Sequence, residues 1–148
     1  MPAVQSTYPG NQAAGYEGQQ SSMSPADIIS KTIETAGGIA PGKPAYQGSV
    51  DHACATTGSV LLGIVVGDHF ARPNPSGNDN IAQGDTVSIM QKGTMWVKVS
   101  GAVTAGAPVY LTSAGAFTAT ASGNTAIKAI FETAAADQGL SRIKLNLP

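Results

Sequence analysis

The chain has 148 residues, enough for one domain that buries about 68–70% of the surface its unfolded chain exposes. Only 11% of the residues are charged, against about 25% in a typical globular domain, and the formal net charge is −1. Affinity for nucleic acid rests mainly on phosphate neutralisation by Lys and Arg, and the sequence has no basic block, so we expect no nucleic-acid partner. A surface with so few charges produces little electrostatic repulsion between copies, which favours close packing against other subunits.

Cysteine content and hydropathy indicate the compartment. Cys54 is the only cysteine, which excludes an intrachain disulfide. The first seven residues have neither a basic region nor an apolar one, so we expect no secretory signal. The longest apolar run, Val60 to Val66, is far shorter than the ~20 residues that span a bilayer, so we expect no membrane partner. These features predict synthesis in a cytoplasm-like compartment.

The first 25 residues differ in composition from the rest. Val4 to Ser24 is mostly Gln, Ser, Gly, Asn and Ala, with two tyrosines, Tyr8 and Tyr16, and one charge, Glu17. No period of 3.6 or 2 is present, so this stretch cannot form a core of its own. A flexible tail is one interpretation. We favour an extended arm that docks on neighbouring subunits, because tyrosine provides a large contact area for little loss of rotamer entropy.

Residues 26–148 are predicted to form a single β domain, beginning with a strand at Asp27 to Glu34. Ser24 to Asp27 could cap a helix, but the following residues are rich in β-branched side chains and end at Gly37-Gly38, which favours a strand. The next strands are expected at Lys43 to Val50 and at Ser59 to Gly67. The latter is apolar on both faces and is therefore predicted to be central.

The second half contains one long loop and then further short strands. Phe70 to Gln83 is rich in turn-forming residues and is predicted to be an exposed loop of functional importance. The later strands are predicted in chain order at Thr86 to Gln91, at Thr94 to Val99 after a turn or bulge at Lys92-Gly93, in a hairpin of Pro108 to Leu111 with Phe117 to Thr120, at Ala126 to Glu132 and at Leu140 to Leu147. About eight or nine short strands with almost no helix indicate an all-β fold, a compact sandwich or barrel with an extended N-terminal arm.

The sequence offers little for catalysis or cofactor binding. Gly37 to Lys43 matches a P-loop until Pro44, where the motif needs Ser or Thr at the start of a helix, so we predict a turn between strands. His52, Cys54 and His69 are the only soft metal ligands, and an apolar strand separates them, so no metal site is expected. The carboxylates lie in turn-like contexts, and no nucleophile has a base at a recognisable spacing. We therefore expect no enzyme and no cofactor.

Three stretches carry a resemblance to a known family. They are Gly84 to Val99, Val103 to Leu111 with its Ala-Gly-Ala-Pro-Val-Tyr run, and the ending from Phe131 to Leu147. In this order and spacing they resemble the capsid cement, or head decoration, proteins of short-tailed bacteriophages. The upstream runs around Tyr46 and Leu62, and the arm with Tyr8 and Asn11-Gln12-Ala13, also look similar to that family.

The resemblance implies a non-enzymatic structural protein on the outer surface of the virion, made in the host cytoplasm. Such proteins bind the mature shell as trimers and bridge adjacent subunits of the major capsid protein. The implied partners are therefore the major capsid protein and other copies of the chain. We expect the arm to make contacts through Tyr8, Asn11, Gln12 and Tyr16, and the long loop to make a second contact through Arg72 and Asn74.

A carbohydrate- or receptor-binding module of a fibre or adhesin is the alternative. Such a module would need exposed aromatic side chains along a groove. The chain has only one Trp and three Phe, and Trp96 lies in a strand that is predicted to form core.

Overall fold

The computed structural model describes residues 15–67 and 78–148. Within these ranges the chain forms β-strands and no helix, so the all-β prediction is confirmed. None of the described segments is a helix long and apolar enough to span a membrane. The nine strands are β1 Asp27–Ile33, β2 Pro44–Gln47, β3 Ala53–Ala55, β4 Leu61–Val65, β5 Thr86–Lys98, β6 Pro108–Leu111, β7 Phe117–Thr118, β8 Thr125–Phe131 and β9 Leu140–Asn146.

The strands form one hydrogen-bonded sheet that closes on itself twice. Their order is β1-β3-β2-β4-β5-β9-β8-β6-β7, and β1 pairs in addition with β5, which closes the first five strands into a ring. Just beyond β5, Val99 forms a parallel bridge with Phe117 of β7, which closes a second ring of β5 to β9. The molecule is thus a pair of small barrels that share β5, and closure leaves few free strand edges.

Each ring encloses its own hydrophobic core. We call residues 27–67 and 78–91 the first lobe and residues 92–148 the second lobe. The first core contains Ile33, Ile39, Ala45, Cys54, Val65, Ile81, Val87 and Ile89. The second core is larger and contains Ile64, Met90, Met95, Val97, Val99, Val103, Val109, Leu111, Phe117, Ala129, Phe131, Ile143, Leu145 and Leu147.

A bulge lets β5 serve both cores. Asp27 pairs with Lys92 while the next residue of β1, Ile28, pairs with Met90, so β5 has one extra residue at Gln91. An extra residue reverses the alternation of side chains along a strand. Odd-numbered residues therefore face the first core before the bulge, as Val87 does, and the second core after it. The prediction of a bulge near Lys92-Gly93 is confirmed, although the two predicted strands are one.

Most of the other predicted strands are confirmed. β1 is a strand, as favoured over a helix, and β6 and β7 form the predicted hairpin. β4 lies between β2 and β5, and it places Ile64 in the second core and Val65 in the first, so it is central and apolar on both faces as predicted. β3 was not predicted, because three residues are too few to show an alternation of apolar and polar side chains.

Glu34 ties the end of β1 to the turn between β2 and β3. Its two carboxylate oxygens accept the N–H of Ser49 at 3.1 and 2.9 Å, and Oε2 also accepts the hydroxyl of Ser49 at 2.7 Å. The hydrogen bond from the backbone of Ser49, followed by that from its hydroxyl, lowers the pKa of Glu34 below its ordinary value of 4.5, against a smaller opposing effect of desolvation. The ionised carboxylate therefore stabilises this end of the first lobe.

Glu34→Gln should make folding stability less dependent on pH in the acid range. Because the folded pKa of Glu34 is lowered, its stabilising contribution is fully present above 4.5 and is lost as the pH falls through the folded pKa. The difference in free energy of unfolding between wild type and Glu34→Gln should therefore shrink as the pH falls below 4.5. Urea titrations at several pH values measure it. Ser49→Ala, which keeps the backbone donor, should reproduce only part of the effect, and a difference that grows on acidification would contradict this role.

Phe131→Ala should be strongly destabilising. Its ring is 0% exposed within the second core, and removal of such a side chain costs about 3–5 kcal/mol. The neighbouring Ile130 is 46% exposed on the other face of β8, so Ile130→Ala should cost about 1 kcal/mol or less. Equilibrium denaturation compares the two variants. Equal losses would show that the alternation along β8 is wrong.

Candidate interaction surface

The last part of the predicted arm lies on the body of its own chain. The amide of Gly18 donates to the carbonyl of Trp96 at 2.8 Å, and the amide of Trp96 donates to the carbonyl of Gln19 at 2.9 Å. The amide of Ser21 donates to the carbonyl of Thr94 at 3.0 Å. We call residues 15–24 the docked segment. The N–H and C=O of Trp96 both point to this segment, so β5 makes its hydrogen bonds to β9 through the residues on either side of Trp96. In this stretch β5 therefore has a hydrogen-bonded neighbour on each of its two edges.

The docked segment also contacts the first lobe at close range. Gly18 and Gly42 have φ of 85° and 74°, and a Cβ on Gly18 would lie 2.7 Å from the amide nitrogen of Gly42. The amide of Gly67 donates to the carbonyl of Gly18 at 2.9 Å. Beside this contact, Lys43 Nζ lies 2.7 Å from Glu17 Oε1. That oxygen is buried and has no aligned hydrogen bond, so the contact is an ion pair.

The docked segment covers Trp96 and positions Tyr16. A Cβ on Gly15 would lie 2.9 Å from Cδ1 of the indole, so the backbone there lies against the ring. The ring of Tyr16 lies against Gly67 and is partly covered, with 39% of the residue exposed. Tyr16 thus contacts its own chain and keeps an accessible face. Its predicted contact with a neighbouring subunit stays a prediction.

The other predicted contact residues lie outside the described residues. They are Tyr8, Asn11 and Gln12 of the arm and Arg72 and Asn74 of the long loop. Their proposed roles stay predictions. What the structure adds is the position of the docked segment that follows residues 1–14, since this segment is held at Gly18 on the edge of β5.

A basic groove crosses the outer face of the second lobe. On this face Lys92 lies opposite Asn146, and Lys144 lies opposite Ile130 of β8. Ser24 and Pro25 form one wall of a shallow groove of about 850 Å³, and β8 forms the other. We call this the basic groove. It is lined by Lys92, Lys128, Ile130 and Lys144, and also by Glu132, whose carboxylate pairs with Arg142 at 2.7 Å. The groove was not predicted from the sequence. Its available signal was one lysine in each of the last two predicted strands, Lys128 and Lys144.

The described residues assemble no metal site. They contain no group of three or more His, Cys, Asp or Glu side chains that could hold a metal ion. Cys54 is a free, buried thiol whose pKa is raised first by burial and then by the charge of Glu34. His69 lies outside the described residues. The P-loop-like run at Gly37 to Lys43 is a turn between β1 and β2, as predicted.

A second cleft, between the lobes, bears on the carbohydrate-binding alternative. It has a volume of about 630 Å³ and is lined largely by turns such as Thr56 to Gly58 and Leu111 to Gly115. Tyr46 is the single aromatic residue that lines it within the described part of the chain, and burial raises the pKa of its hydroxyl. The row of exposed aromatic rings that a sugar-binding groove needs is therefore not found among these residues.

Gly18→Ala should loosen the docked segment. At its positive φ, the new methyl would meet Pro41 and the amide of Gly42, and such strain costs about 1–3 kcal/mol. Trp96, the only tryptophan, should become more exposed, so its emission maximum should shift to the red. Hydrogen exchange at the amides of Gly18 and Ser21 should accelerate.

Gly37→Ala is the matched control for this substitution. A Cβ on Gly37 would meet nothing within 4 Å, so this variant should keep the emission and exchange of the wild type. If both variants left the emission of Trp96 unchanged, the docked segment would not depend on the close approach of Gly18 to the first lobe.

The chain matches a known protein family. A family model described as "Structural cement protein (E217 gp24/Pam3 gp6)" matches residues 4–146, which include both the arm and the body. No curated protein shows a significant match to the chain.

A solved structure agrees in fold. The chain is similar to one from the capsid of Myoviridae phage XM1, with a TM-score of 0.67 and 14% identity over 97% of this chain and 98% of that one. A weaker likeness is to the N base of head fiber gp8.5 in bacteriophage phi29, with a TM-score of 0.48 and 12% identity over 81% and 93% of the two chains. Since the family model covers nearly the whole chain, the protein belongs to the phage structural cement protein family and is a structural component of the virion on the capsid.

Proposed function

We propose that this protein is a non-enzymatic cement that binds the outer surface of the phage shell as a homotrimer and bridges adjacent subunits of the major capsid protein. The observation that carries the proposal is the family match over residues 4–146. The match includes the polar arm, which has no core of its own, so arm and body are features of the same family. A structural role also agrees with the low charge of the chain, which permits close packing in a shell.

The body and the arm would act as two linked contacts. Because the docked segment is held on the edge of β5, residues 1–14 start from a fixed point near Gly18. Two contacts joined at a fixed point gain avidity through a high effective concentration, even where each one is weak. We propose that Tyr8, Asn11 and Gln12 contact one capsid subunit and that the body contacts another.

The long loop would supply a further contact on the body. Arg72 is one of only eight basic residues of the chain, and it lies in a stretch rich in Pro and Asn. We propose that Arg72 and Asn74 bind the major capsid protein through hydrogen bonds to its surface carbonyl and carboxylate groups, which an arginine fork and an amide both suit. A lattice of identical sites then repeats each of these contacts around the symmetry axes of the shell.

Removal of residues 1–14 tests the bridging role. A chain that begins at Gly15 keeps the docked segment and its pairing with β5, so it should fold and keep the covered Trp96 of the full-length protein. Full-length protein should sediment with expanded shells that lack it and raise the temperature at which they break. The shortened chain should bind about tenfold or more weakly, because one of two linked contacts is lost.

Two further measurements sharpen this test. Arg72→Ala with Asn74→Ala in the full-length chain should weaken binding while the arm is intact, which separates the loop from the arm. If full-length, folded protein did not sediment with shells at all, the cement role would be wrong. Binding to a glycan array in that case would support the carbohydrate-binding alternative.

A further inference from the structure

Some of the charges at the basic groove are paired within the chain. Glu132 lines the groove, but its Oε2 lies 2.7 Å from Nε of Arg142, so a neighbouring guanidinium balances this carboxylate. Lys92 Nζ lies 3.7 Å from Oδ2 of Asp27, and both of these side chains are exposed. Neither pair contributes a net charge. Any excess of positive charge in the groove therefore comes from the two remaining lysines.

Lys128 and Lys144 supply this excess. Both are exposed, and neither forms a hydrogen bond or an ion pair with a residue in 15–67 or 78–148. Ile130 is adjacent to both, since it lies opposite Lys144 across the β8–β9 pair and two residues after Lys128 on β8. These separations are about 5 Å and roughly 7 Å along the backbone. Two unpaired ammonium groups thus flank an isoleucine that is 46% exposed.

The N-terminal arm cannot neutralise these lysines. Residues 1–14 contain no Asp or Glu. The docked segment contains Glu17 alone, and Oε1 of that side chain lies 2.7 Å from Nζ of Lys43. Residues 68–77 contain one Asp and one Arg, so their formal charges cancel. The carboxylates that would complement the groove therefore do not come from these segments.

A second copy of the chain is a poor source of them as well. Besides the carboxylates already in ion pairs, those of Glu34 and Asp137 accept backbone N–H groups at 2.9 and 2.7 Å. Asp85 has an interaction partner in the chain. Lys31 Nζ donates to the carbonyl of Asp51, so an ammonium group already lies at that residue. Few carboxylates of another copy are thus free to bind the groove.

Nucleic acid also fits the groove poorly. A duplex presents one negative charge per ~1.7 Å of its axis, and its affinity depends on the number of phosphates that are neutralised. Here only two lysines are unpaired, and the carboxylates of Asp27 and Glu132 lie among the basic side chains. A polypeptide suits the groove better, because it can place two carboxylates and one apolar side chain at separate points.

We propose that the basic groove binds an acidic segment of the major capsid protein, whose carboxylates pair with Lys128 and Lys144 and whose aliphatic side chain covers Ile130. The capsid protein is the other chain that a cement contacts, so it supplies the carboxylates that this chain lacks. The charge pairs orient the contact, and burial of apolar surface adds affinity. This inference rests on the proposed function and deepens it, since it names a surface of the body that contacts the shell and the chemistry of its partner.

Zero-length cross-linking identifies the partner of the groove lysines. A water-soluble carbodiimide joins an amine to a carboxylate that is in direct contact with it and adds no spacer. Full-length protein bound to expanded shells is treated with this reagent, and the joined peptides are identified by mass spectrometry. The expected products join Lys128 or Lys144 to an Asp or Glu of the major capsid protein. Cross-links to that protein from other lysines alone, such as Lys98, would overturn the proposal.

Charge reversal measures what the groove contributes to shell binding. Lys128→Glu with Lys144→Glu should weaken binding about tenfold or more, because attraction becomes repulsion at two positions. Ile130→Ala should weaken it about threefold, since only the apolar contact is lost. Lys98→Glu is the matched control, because Lys98 is an exposed lysine of β5 that does not line the groove, and it should change binding less than twofold. The emission of Trp96 checks the fold, and Lys128→Gln with Lys144→Gln serves where the reversal disturbs it.

The outcomes separate this inference from the cement role. If the wild type binds shells and the folded groove variant binds equally well, the inference is wrong while the cement role stands. If the wild type does not bind shells, the cement role is wrong and the inference falls with it. Cross-links that join the groove lysines to another copy of this chain would show that the groove holds a second copy, which also overturns the proposal.

Discussion

The fold depends on one strand that serves two cores. β5 is 13 residues long and contributes side chains to both lobes, so each lobe is closed only because β5 completes it. The extra residue at Gln91 makes this possible, since a regular strand would turn the side chains of its second half the wrong way. A defect in β5 should therefore disturb both cores together.

The docked segment extends the same logic to the N-terminal region. Without residues 15–24, the second half of β5 would present free backbone groups and an uncovered Trp96 on one edge. An exposed strand edge invites pairing with other chains. The segment thus protects β5 and also fixes where the rest of the arm begins. A polar stretch with no hydrophobic period can be held in this way because the main chain supplies the bonds, and glycines at Gly18 and Gly42 allow the close approach.

The sequence predicted the strands well and their closure poorly, for a physical reason. Alternating apolar residues, such as Val87 and Ile89 or Met95 and Val97, report local burial on one face, which a single strand carries in its own pattern. The pairing of β1 with β5 and the bridge of Val99 to Phe117 depend on contacts far apart in sequence, which no local pattern encodes. The candidate site divides in the same way. The tyrosines of the arm stand out by composition, whereas the basic groove exists only once β5, β9 and β8 place their lysines on one face.

Low charge gives the few charges that remain more influence over assembly. With 11% charged residues, most of the surface carries no formal charge that would attract or repel another copy. On such a surface a single concentration of charge, such as the lysines of the basic groove, has a larger share in orienting a partner. A densely charged protein would need many matched pairs for the same discrimination. A nearly neutral body can therefore pack closely, while the few charges that it carries favour one approach of a partner over another.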